Sequence, residues 1–402
     1  MDIYDFLVIG GGASGYFAAI NAKEKAPHLK IGIIEKQGKV LQKVKVSGGG
    51  RCNVTNGETD PKILSKNYPR GADFLETAFQ TFGSKDTYSW FEKRGVKLKT
   101  EKDGRVFPVS DSSQSIIDCF LRLAKGVDLF LKTRVENLER DGELWIIHCS
   151  DDSIFKAKRL LIATGSDSRI WSALNHLNFK IEPEVPSLFT FQIPEPELHE
   201  LQGISFPNAT VRAGKILQNG PLLITHWGLS GPAILKLSAW GAYALKEKDY
   251  QFDLEVNWLS EKDIKKVEAD LKAKFAENPK KNVRMLPYGT LTQRFWNYIC
   301  IRSGIGEFQK GAEAGKKQIA KLLENLTAAK YKVNGKSTFK EEFVTAGGVS
   351  LDEIHVETFA SKQYPNLYFG GEVLNIDAIT GGFNFQAAWT AGWIISSDVS
   401  KK

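Results

Sequence analysis

The sequence predicts an α/β protein in which a Rossmann-like nucleotide-binding domain is interrupted by an insert. The first observation is the stretch Asp5–Gly15, where an apolar run is followed by glycines at the G-x-G-x-x-G spacing. The second is a glycine-containing strand–turn–helix unit near the C-terminus, which has no βαβ partner of its own. The third is a shift in composition over Pro183–Pro196, with four prolines in 14 residues. We therefore expect the two ends of the chain to form one domain and the middle to form another.

The N-terminal motif places a strand, three glycines, a helix, a second strand and an acid in the order of a dinucleotide-binding unit. Gly10 allows a tight turn, Gly12 lets the backbone approach a pyrophosphate, and Gly15 lets helix and strand pack closely. Free N–H groups at the start of the following helix would meet the phosphate charge. Glu35 stands 20 residues after Gly15, where an acid accepts hydrogen bonds from an adenosine ribose. An ordinary glycine turn is the alternative, and it would leave this surrounding order unexplained.

A second glycine-rich loop covers Ser47–Asn56 and contains three consecutive glycines, Gly48–Gly50. Glycines between polar residues offer backbone N–H groups and let a planar or charged ligand come close. The alternative is a flexible surface loop. Arg51 and Asn53, directly after the glycines, argue for a ligand.

The middle of the first domain and the C-terminal unit complete the predicted cofactor domain. Residues 134–158 read as a β-meander, and the buried strand after it runs into a Thr164–Gly165 turn. NAD-only Rossmann domains usually have helices where this meander lies. Near the C-terminus, Gly381–Gly382 opens a last helix predicted over 386–398. The partial positive charge at that helix start would stabilise an anion on a redox ring.

The insert is predicted to be a small barrel that carries a helical subdomain. Strand-like runs alternate with turns over 189–259, and a capping box at Ser260–Asp263 opens a helix over 261–277. The predicted domains are the first part of the cofactor domain at 1–188, an inserted β-barrel domain at 189–260, a helical subdomain at 261–329, the last strand of the insert at 330–342, and the second part of the cofactor domain at 343–402.

Composition excludes several classes of protein. The four cysteines are far apart and form no CxxC pair, which argues against a zinc site or a disulfide framework and favours a reducing compartment. No apolar run approaches the ~20 residues that span a bilayer, and the N-terminus has no signal-peptide pattern. We expect a cytoplasmic protein with no metal site. The sequence leaves its oligomeric state open.

The net charge is +7, from 54 Lys and Arg against 47 Asp and Glu. We interpret this excess as thinly spread over the chain, because the sequence has no arginine-rich block and no basic helix with interleaved aromatic residues. We therefore expect a solvated surface that tolerates an anionic cofactor, and no nucleic-acid partner.

Six stretches together resemble one bacterial flavoprotein family, the aminoacetone oxidase and BaiN type, within the two-dinucleotide-binding-domain flavoprotein superfamily. The resemblance runs in order from end to end of the chain and is carried by SGGGRCNVTN, GRVFPVSD, LLIATG, THWGLSGPAIL, VTAGGVSLDEI and LYFGGEVLNIDAITGGFNFQAAWTAG. The sequence departs from the family pattern at Ala378 and Phe383, where the family often has a glycine and a tyrosine.

The resemblance implies tightly bound FAD, with NADH or NADPH as a possible transient donor. It implies that the N-terminal motif and Glu35 hold the ADP half, that the backbone of Val135 touches the adenine, and that Glu372 and Asp377 reach the ribityl chain and pyrophosphate. The full set of residues expected to bind the cofactor is Gly10, Gly12, Ala13, Ser14, Gly15, Glu35, Lys36, Lys43, Ser47, Gly48, Gly49, Arg51, Cys52, Asn53, Val135, Thr164, Gly165, Gly371, Glu372, Asp377, Gly381, Gly382, Phe383 and Asn384.

Three residues are candidates for proton transfer or catalysis. His226 lies in the motif THWGLSG, and its alternative is a structural hydrogen bond. Cys52 lies in the glycine loop and would act as a redox thiol, whereas without a partner cysteine the alternative is packing beside the flavin. Arg105 would pair with a flavin or substrate anion, or with a surface acid.

The sequence favours an FAD-dependent oxidoreductase, either a reductase or an oxidase, that acts on a small organic molecule. One alternative is a flavin-dependent RNA-modifying enzyme, which should show concentrated basic patches in the insert. A second alternative is a non-enzymatic flavin-bound sensor or scaffold. The substrate itself is not defined by the sequence.

Overall fold

The computed structural model describes residues 2–337 and 344–401, and its contacts divide the chain into two compact units. The first unit runs to Pro186 and resumes at Val344. The second begins at Ser187 and includes the described residues up to Ser337. The predicted boundary between residues 342 and 343 lies outside the described residues.

The N-terminal part of the first unit alternates strands and helices. The elements are β1 (Ile3–Tyr4), β2 (Phe6–Ile9), α1 (Ala13–Lys25), β3 (Ile31–Glu35), α2 (Gln42–Val46), β4 (Thr55–Asn56), α3 (Pro61–Ser65), α4 (Ala72–Thr81), α5 (Ser84–Lys93), β5 (Leu98–Thr100), β6 (Arg105–Pro108), α6 (Gln114–Leu123), β7 (Val127–Leu131), β8 (Val135–Asp141), β9 (Leu144–Cys149), β10 (Ile154–Ala157), β11 (Leu160–Ile162), α7 (Ser168–His176) and β12 (Ile181–Ser187).

The second unit combines a barrel with helices. Its elements are β13 (Thr190–Gln192), α8 (Pro196–His199), β14 (Ser205–Ala213), β15 (Ile216–Thr225), β16 (Gly228–Ser230), α9 (Pro232–Trp240), α10 (Ala242–Lys246), β17 (Gln251–Asn257), α11 (Ile264–Glu277), α12 (Gln293–Arg302), α13 (Lys316–Thr327), β18 (Ala329–Asn334) and β19 (Lys336–Ser337). The C-terminal part of the first unit adds β20 (Val344–Val349), β21 (Leu367–Phe369) and α14 (Phe383–Val399).

The central sheet of the first unit is parallel and has the strand order β21-β11-β2-β3-β7. Every residue of β2 is buried, as expected for a parallel strand that is covered on both faces. The strand nearest the C-terminus thus lies in the same sheet as the first βαβ unit, and α14 packs against α1. Strands β8, β9 and β10 form the predicted meander beside β1. The predicted Rossmann-like α/β fold with a β-meander is confirmed.

The sheet of the second unit closes on itself at Gly335. Its strand order is β18-β17-β14-β15-β16-β13-β19, so its two outer strands, β18 and β19, are consecutive along the chain. Gly335 lies between them, donates a hydrogen bond to Tyr250 O (3.0 Å) and accepts one from Gln192 N (3.0 Å). The backbone of Gly335 therefore bonds to the chain near both edges of the sheet, to Tyr250 directly before β17 and to Gln192 of β13. This closure confirms the inserted barrel that the sequence predicts.

The barrel and its helices share one hydrophobic core. Phe206 of β14, Trp258 after β17 and Phe295 of α12 pack ring against ring, with centroids 4.7–4.9 Å apart. The predicted start of α11 is wrong. The helix begins at Ile264 because Asp263 caps it, accepting a hydrogen bond from Lys266 N at 3.1 Å. Ser260, the predicted cap, instead lies with its hydroxyl 3.1 Å from that of Thr210.

Candidate functional site

The glycine turn after β2 holds α1 directly against the ends of two strands. A Cβ atom on Gly10 would lie 2.3 Å from the carbonyl oxygen of Ala163, at the end of β11. A Cβ atom on Gly15 would lie 2.2 Å from the carbonyl oxygen of Gly10. Both distances are far inside van der Waals contact, so a side chain at either position would push helix and turn apart. The close approach is the role that the G-x-G-x-x-G spacing predicts.

The start of α1 is open where a phosphate would bind. A Cβ atom on Gly12 would meet no atom of the described residues within 4 Å, chain neighbours aside. The hydroxyl of Ser14 is buried, and it has no hydrogen-bond partner among the described residues. Buried hydroxyls are rarely left without a partner, and α1 has no side-chain cap at its start. These groups fit the pyrophosphate of a dinucleotide such as FAD.

Glu35 is held in one orientation at the end of β3. Its Oε2 accepts a hydrogen bond from Gly11 N and its Oε1 accepts one from Gln37 N, both at 2.8 Å. Each carboxylate oxygen keeps a further lone pair for a ligand hydroxyl. The backbone of Glu35 also accepts a hydrogen bond from Thr133 N at 3.1 Å, two residues before Val135. The structure thus brings the predicted ribose and adenine contacts to the same edge of the sheet.

Two lysines after β3 are paired with carboxylates that follow other strands. Lys36 Nζ lies 2.6 Å from Asp167, and Lys43 forms an ion pair with Glu372. Burial alone would raise the pKa of Asp167, but the hydrogen bond and charge of Lys36 hold it below its usual value. Sequence reasoning missed Asp167, although an acid directly before the helix Ser168–His176 is an N-cap signal.

The second glycine loop and the C-terminal turn are joined by hydrogen bonds. The side-chain amide of Asn53, in the orientation that satisfies both of its groups, accepts from Gly382 N at 2.9 Å and donates to Thr55 O at 3.1 Å. Asn56 Nδ2 donates to Gly381 O at 3.1 Å. The predicted start of the last helix at 386 is wrong, because α14 begins at Phe383, directly after the turn.

The residues that follow this turn are fixed by further backbone contacts. The side-chain oxygen of Asn384 accepts a hydrogen bond from Ala378 N at 3.0 Å, and Tyr68 Oη donates to Phe383 O at 2.6 Å. A Cβ atom on Gly49 or Gly50, in the other glycine loop, would meet no atom of the described residues within 4 Å. The N-terminus of α14 and a loop with open backbone are therefore held beside each other, which fits a planar ring and an anion at its edge.

Asp377 has a partner that the sequence does not reveal. Its side chain is fully buried, and both of its carboxylate oxygens accept hydrogen bonds from the guanidinium of Arg70 in a bidentate ion pair. The two residues are also joined by an antiparallel bridge between their backbones. Asp377 therefore fixes the loop before Gly381–Gly382, and Arg70 is a residue of this region that sequence reasoning missed.

The three catalytic candidates lie in different surroundings. Cys52 is fully buried with φ +61°. Arg105 pairs with Asp103 at 2.7 Å, in an exposed cluster of charges. His226 is exposed between β15 and β16 in the second unit, with its ring centroid 4.1 Å from that of Trp227. The surroundings of Cys52 and Arg105 favour the packing and surface ion-pair alternatives over catalysis.

We expect Cys52 to resist alkylation in the native protein. Burial raises the pKa of its thiol to about 12, so at pH 8 its thiolate fraction is about a thousandfold below that of an unfolded cysteine. Iodoacetamide treatment followed by peptide mass mapping should show Cys52 unmodified in native protein and modified after denaturation in guanidinium. Equal labelling in both states would contradict the buried-thiol interpretation.

The described residues contain no group of three or more His, Cys, Asp or Glu side chains placed to hold a metal ion. Within the same residues, none of the helices has the length and apolarity needed to cross a bilayer.

The fold and the glycine turns define a Rossmann-type dinucleotide-binding protein. The chain matches the family described as HI0933-like protein Rossmann domain over residues 4–398, and it belongs to this family. Two relatives are named ribosomal RNA dihydrouridine synthase. The one from Escherichia coli is 28% identical over 99% of this chain and 98% of its own length, and the one from Haemophilus influenzae is 26% identical over 98% of each. A third, the 3-dehydro-bile acid delta(4,6)-reductase of Clostridium scindens, is 26% identical over 96% of this chain and 97% of its own length.

These relatives match along nearly their whole length, so the resemblance found in the sequence is confirmed. The prediction of an enzyme of the flavoprotein oxidoreductase class is also confirmed at that level. The relatives differ in the substrates that their names describe, which leaves the substrate of this chain to be argued.

The positive charge of the protein is concentrated in the second unit. Residues 187–337 contain 22 Lys and Arg against 15 Asp and Glu, a net charge of +7 that equals that of the whole chain. Within them, residues 261–337 contain 17 Lys and Arg against 8 Asp and Glu. The prediction that the positive charge is thinly spread over the chain is wrong, because the excess of Lys and Arg over Asp and Glu lies in residues 187–337.

Proposed function

We propose that this protein is an FAD-dependent reductase that adds hydrogen across the C5–C6 double bond of a uridine in ribosomal RNA. The product would be dihydrouridine, which two full-length relatives are named for making. The observation that carries the proposal is the concentration of positive charge in the insert, because a phosphate backbone is the polyanion that such a domain attracts. Concentrated positive charge in the insert favours an RNA-modifying enzyme over an oxidoreductase that acts on a small molecule.

FAD fits the open backbone and the unsatisfied groups of the first unit. The pyrophosphate would meet the free N–H groups of α1 and the hydroxyl of Ser14, and Glu35 would accept hydrogen bonds from the adenosine ribose. The N-terminus of α14, with Gly382 before it, would lie at the edge of the ring system where negative charge develops. When bound, reduced FAD supplies the hydride that the reaction needs.

The reaction consumes two electrons and two protons for each uracil ring that is reduced. We propose NADH or NADPH as the source of the electrons, bound transiently, because no second G-x-G-x-x-G motif follows a strand in the sequence. One carbon of the double bond receives a hydride and the other receives a proton, and the nicotinamide leaves in its oxidised form.

A second candidate function is the reduction of a small unsaturated ketone. The observation that favours it is the full-length similarity to the 3-dehydro-bile acid delta(4,6)-reductase. Both candidate reactions add hydrogen to a carbon–carbon double bond, so they differ in the substrate and agree in the chemistry.

We expect purified, FAD-loaded protein to form dihydrouridine in ribosomal RNA from a strain that lacks the corresponding gene. The assay is run under nitrogen with NADH or NADPH, and nucleosides from digested RNA are quantified by mass spectrometry. Dihydrouridine is expected to form only when the FAD-loaded protein and a nicotinamide donor are both present. Protein freed of FAD serves as the control.

A conjugated 3-oxo-4,6-diene steroid is tested beside the RNA under the same conditions. Reduction of the steroid with no change in the RNA would replace the proposed substrate by the second candidate. Flavin that neither donor bleaches would contradict the proposed electron source and favour the non-enzymatic sensor.

A further inference from the structure

We propose that the second unit carries an RNA-binding surface formed by two antiparallel segments, residues 280–285 and 305–311, which we call the basic ribbon. The inference rests on the proposed function, because it takes RNA as the substrate, and it assigns the surface that holds that RNA. The basic ribbon lies in the helical part of the second unit, between α11 and α13.

Backbone hydrogen bonds hold the two segments side by side. Val283 N donates to Gln309 O at 2.9 Å, and Gly311 N donates to Lys281 O at 3.0 Å. Asn282 and Lys310 form an antiparallel bridge. The guanidinium of Arg284 donates to Ile305 O at 2.6 Å, which closes the other end of the pair. The lysines of both segments therefore occupy one small region of the surface.

The cations of this region are not explained by ion pairs. Lys280, Lys281 and Lys310 are exposed, and among the described residues none of them lies within ion-pair distance of a carboxylate. The acids of the region are Glu307, which is exposed, and Glu313, whose carboxylate accepts a hydrogen bond from the backbone of Lys310 at 2.9 Å. With Arg284, the region therefore contains four cations and two acids. The excess positive charge is available to bind an anionic ligand.

The first turn of α13 adds two more lysines to the same region. Gln309 of the basic ribbon and Gln318 of α13 exchange side-chain hydrogen bonds at 2.6 and 3.0 Å, which ties the helix start to the ribbon. Lys316 and Lys317 are exposed there. The partial positive charge of a helix N-terminus disfavours cations in the first turn. Stability of the helix therefore does not account for these lysines, whereas binding of a polyanion does.

The basic ribbon also exposes the two most exposed large hydrophobic side chains that the structure describes. Phe308 is 79% exposed and Met285 is 66% exposed. An aromatic ring beside lysines is the pattern that binds single-stranded nucleic acid, since bases stack on the ring and lysines contact the phosphates. We therefore commit to RNA with unstacked bases as the occupant, because both the charge and the exposed ring match that ligand.

The test compares three variants with a matched control. The triple variant Lys280→Ala, Lys281→Ala, Lys310→Ala removes the phosphate contacts. The control Lys66→Ala, Lys85→Ala, Lys97→Ala removes the same charge from exposed lysines of the first unit. Phe308→Leu keeps an apolar side chain but removes the aromatic face. Phe308→Trp keeps an aromatic face and should bind RNA as the wild type does.

The probes are a fluorescein-labelled 20-nucleotide single-stranded RNA of mixed sequence and protein-free ribosomal RNA. Fluorescence anisotropy at several salt concentrations should show at least about tenfold weaker binding by the triple variant, and a salt-dependence slope lower by about two. Phe308→Leu should weaken binding about fivefold or more. The control should bind as the wild type does, and thermal unfolding should show that all variants are folded.

Equal weakening by the triple variant and its control, or binding unaffected by Phe308→Leu, would overturn the proposal. So would binding to vesicles of anionic lipid in preference to RNA. These outcomes are distinct from failure of the proposed function. A wild-type protein that forms dihydrouridine while its ribbon variants bind RNA normally disproves only the surface, whereas ribbon-dependent RNA binding without dihydrouridine disproves only the reaction.

Discussion

Replacement of Arg70 by methionine is expected to lower the free energy of unfolding by about 3–5 kcal/mol, because it leaves a buried carboxylate without its cation. The side chain of Asp377 has no exposed surface, and that of Arg70 is 12% exposed. Water can therefore replace little of the lost ion pair. The measurement is urea-induced unfolding of the FAD-loaded protein, monitored by circular dichroism.

Two further variants test the cause of this loss. Lys272→Met removes a pair between Lys272 and Glu268 on the exposed face of α11, and it should cost less than about 0.5 kcal/mol. The double variant Arg70→Met, Asp377→Asn should lose less stability than Arg70→Met alone, since no charge stays buried. A double variant as unstable as the single variant would show that the packing of Arg70, and not the charge of Asp377, accounts for the effect.

Alanine at Gly12 and alanine at Gly15 are both expected to weaken FAD binding, but only alanine at Gly15 is expected to lower the stability of the fold. A Cβ atom on Gly15 would lie 2.2 Å from Gly10 O and 2.8 Å from a methyl group of Val8. Helix α1 must move to accept it, and overpacking of this kind costs about 1–3 kcal/mol. A Cβ atom on Gly12 meets no described atom within 4 Å, chain neighbours aside. Gly12→Ala should therefore keep the unfolding temperature and place its methyl group where the pyrophosphate would lie.

The measurements are the FAD content after gel filtration and the unfolding temperature of the FAD-free protein. We expect Gly12→Ala to lose most of its FAD with an unchanged unfolding temperature, and Gly15→Ala to lose both FAD and stability. Full retention of FAD by Gly12→Ala would contradict the assignment of this opening to the cofactor.

The sequence predicts those parts of the fold and the candidate site that depend on short-range pattern. The turn at Gly10, the acid at Glu35 and the buried parallel strands follow from spacing and composition over a few tens of residues. The pair between Arg70 and Asp377 joins residues 307 positions apart, and no local pattern shows it. The same holds for the contact between Asn53 and Gly382.

The basic ribbon was missed for a different reason. Its lysines are separated by about 30 residues along the chain and become neighbours only through backbone pairing of two irregular segments. A search for a basic helix or an arginine block cannot find such a surface. The start of α11 was missed because two polar residues, Ser260 and Asp263, both suit a helix cap, and only the structure shows which one the backbone uses.

The two strands that flank the insert pair with each other in a two-stranded sheet. Strands β12 and β20 are hydrogen-bonded neighbours, and a Cβ atom on Gly347 of β20 would lie 2.5 Å from Pro183 O of β12. The chain thus leaves the first unit and returns to it at one point. Residues 188–337 can therefore change in sequence or length without interrupting the five parallel strands of the first unit.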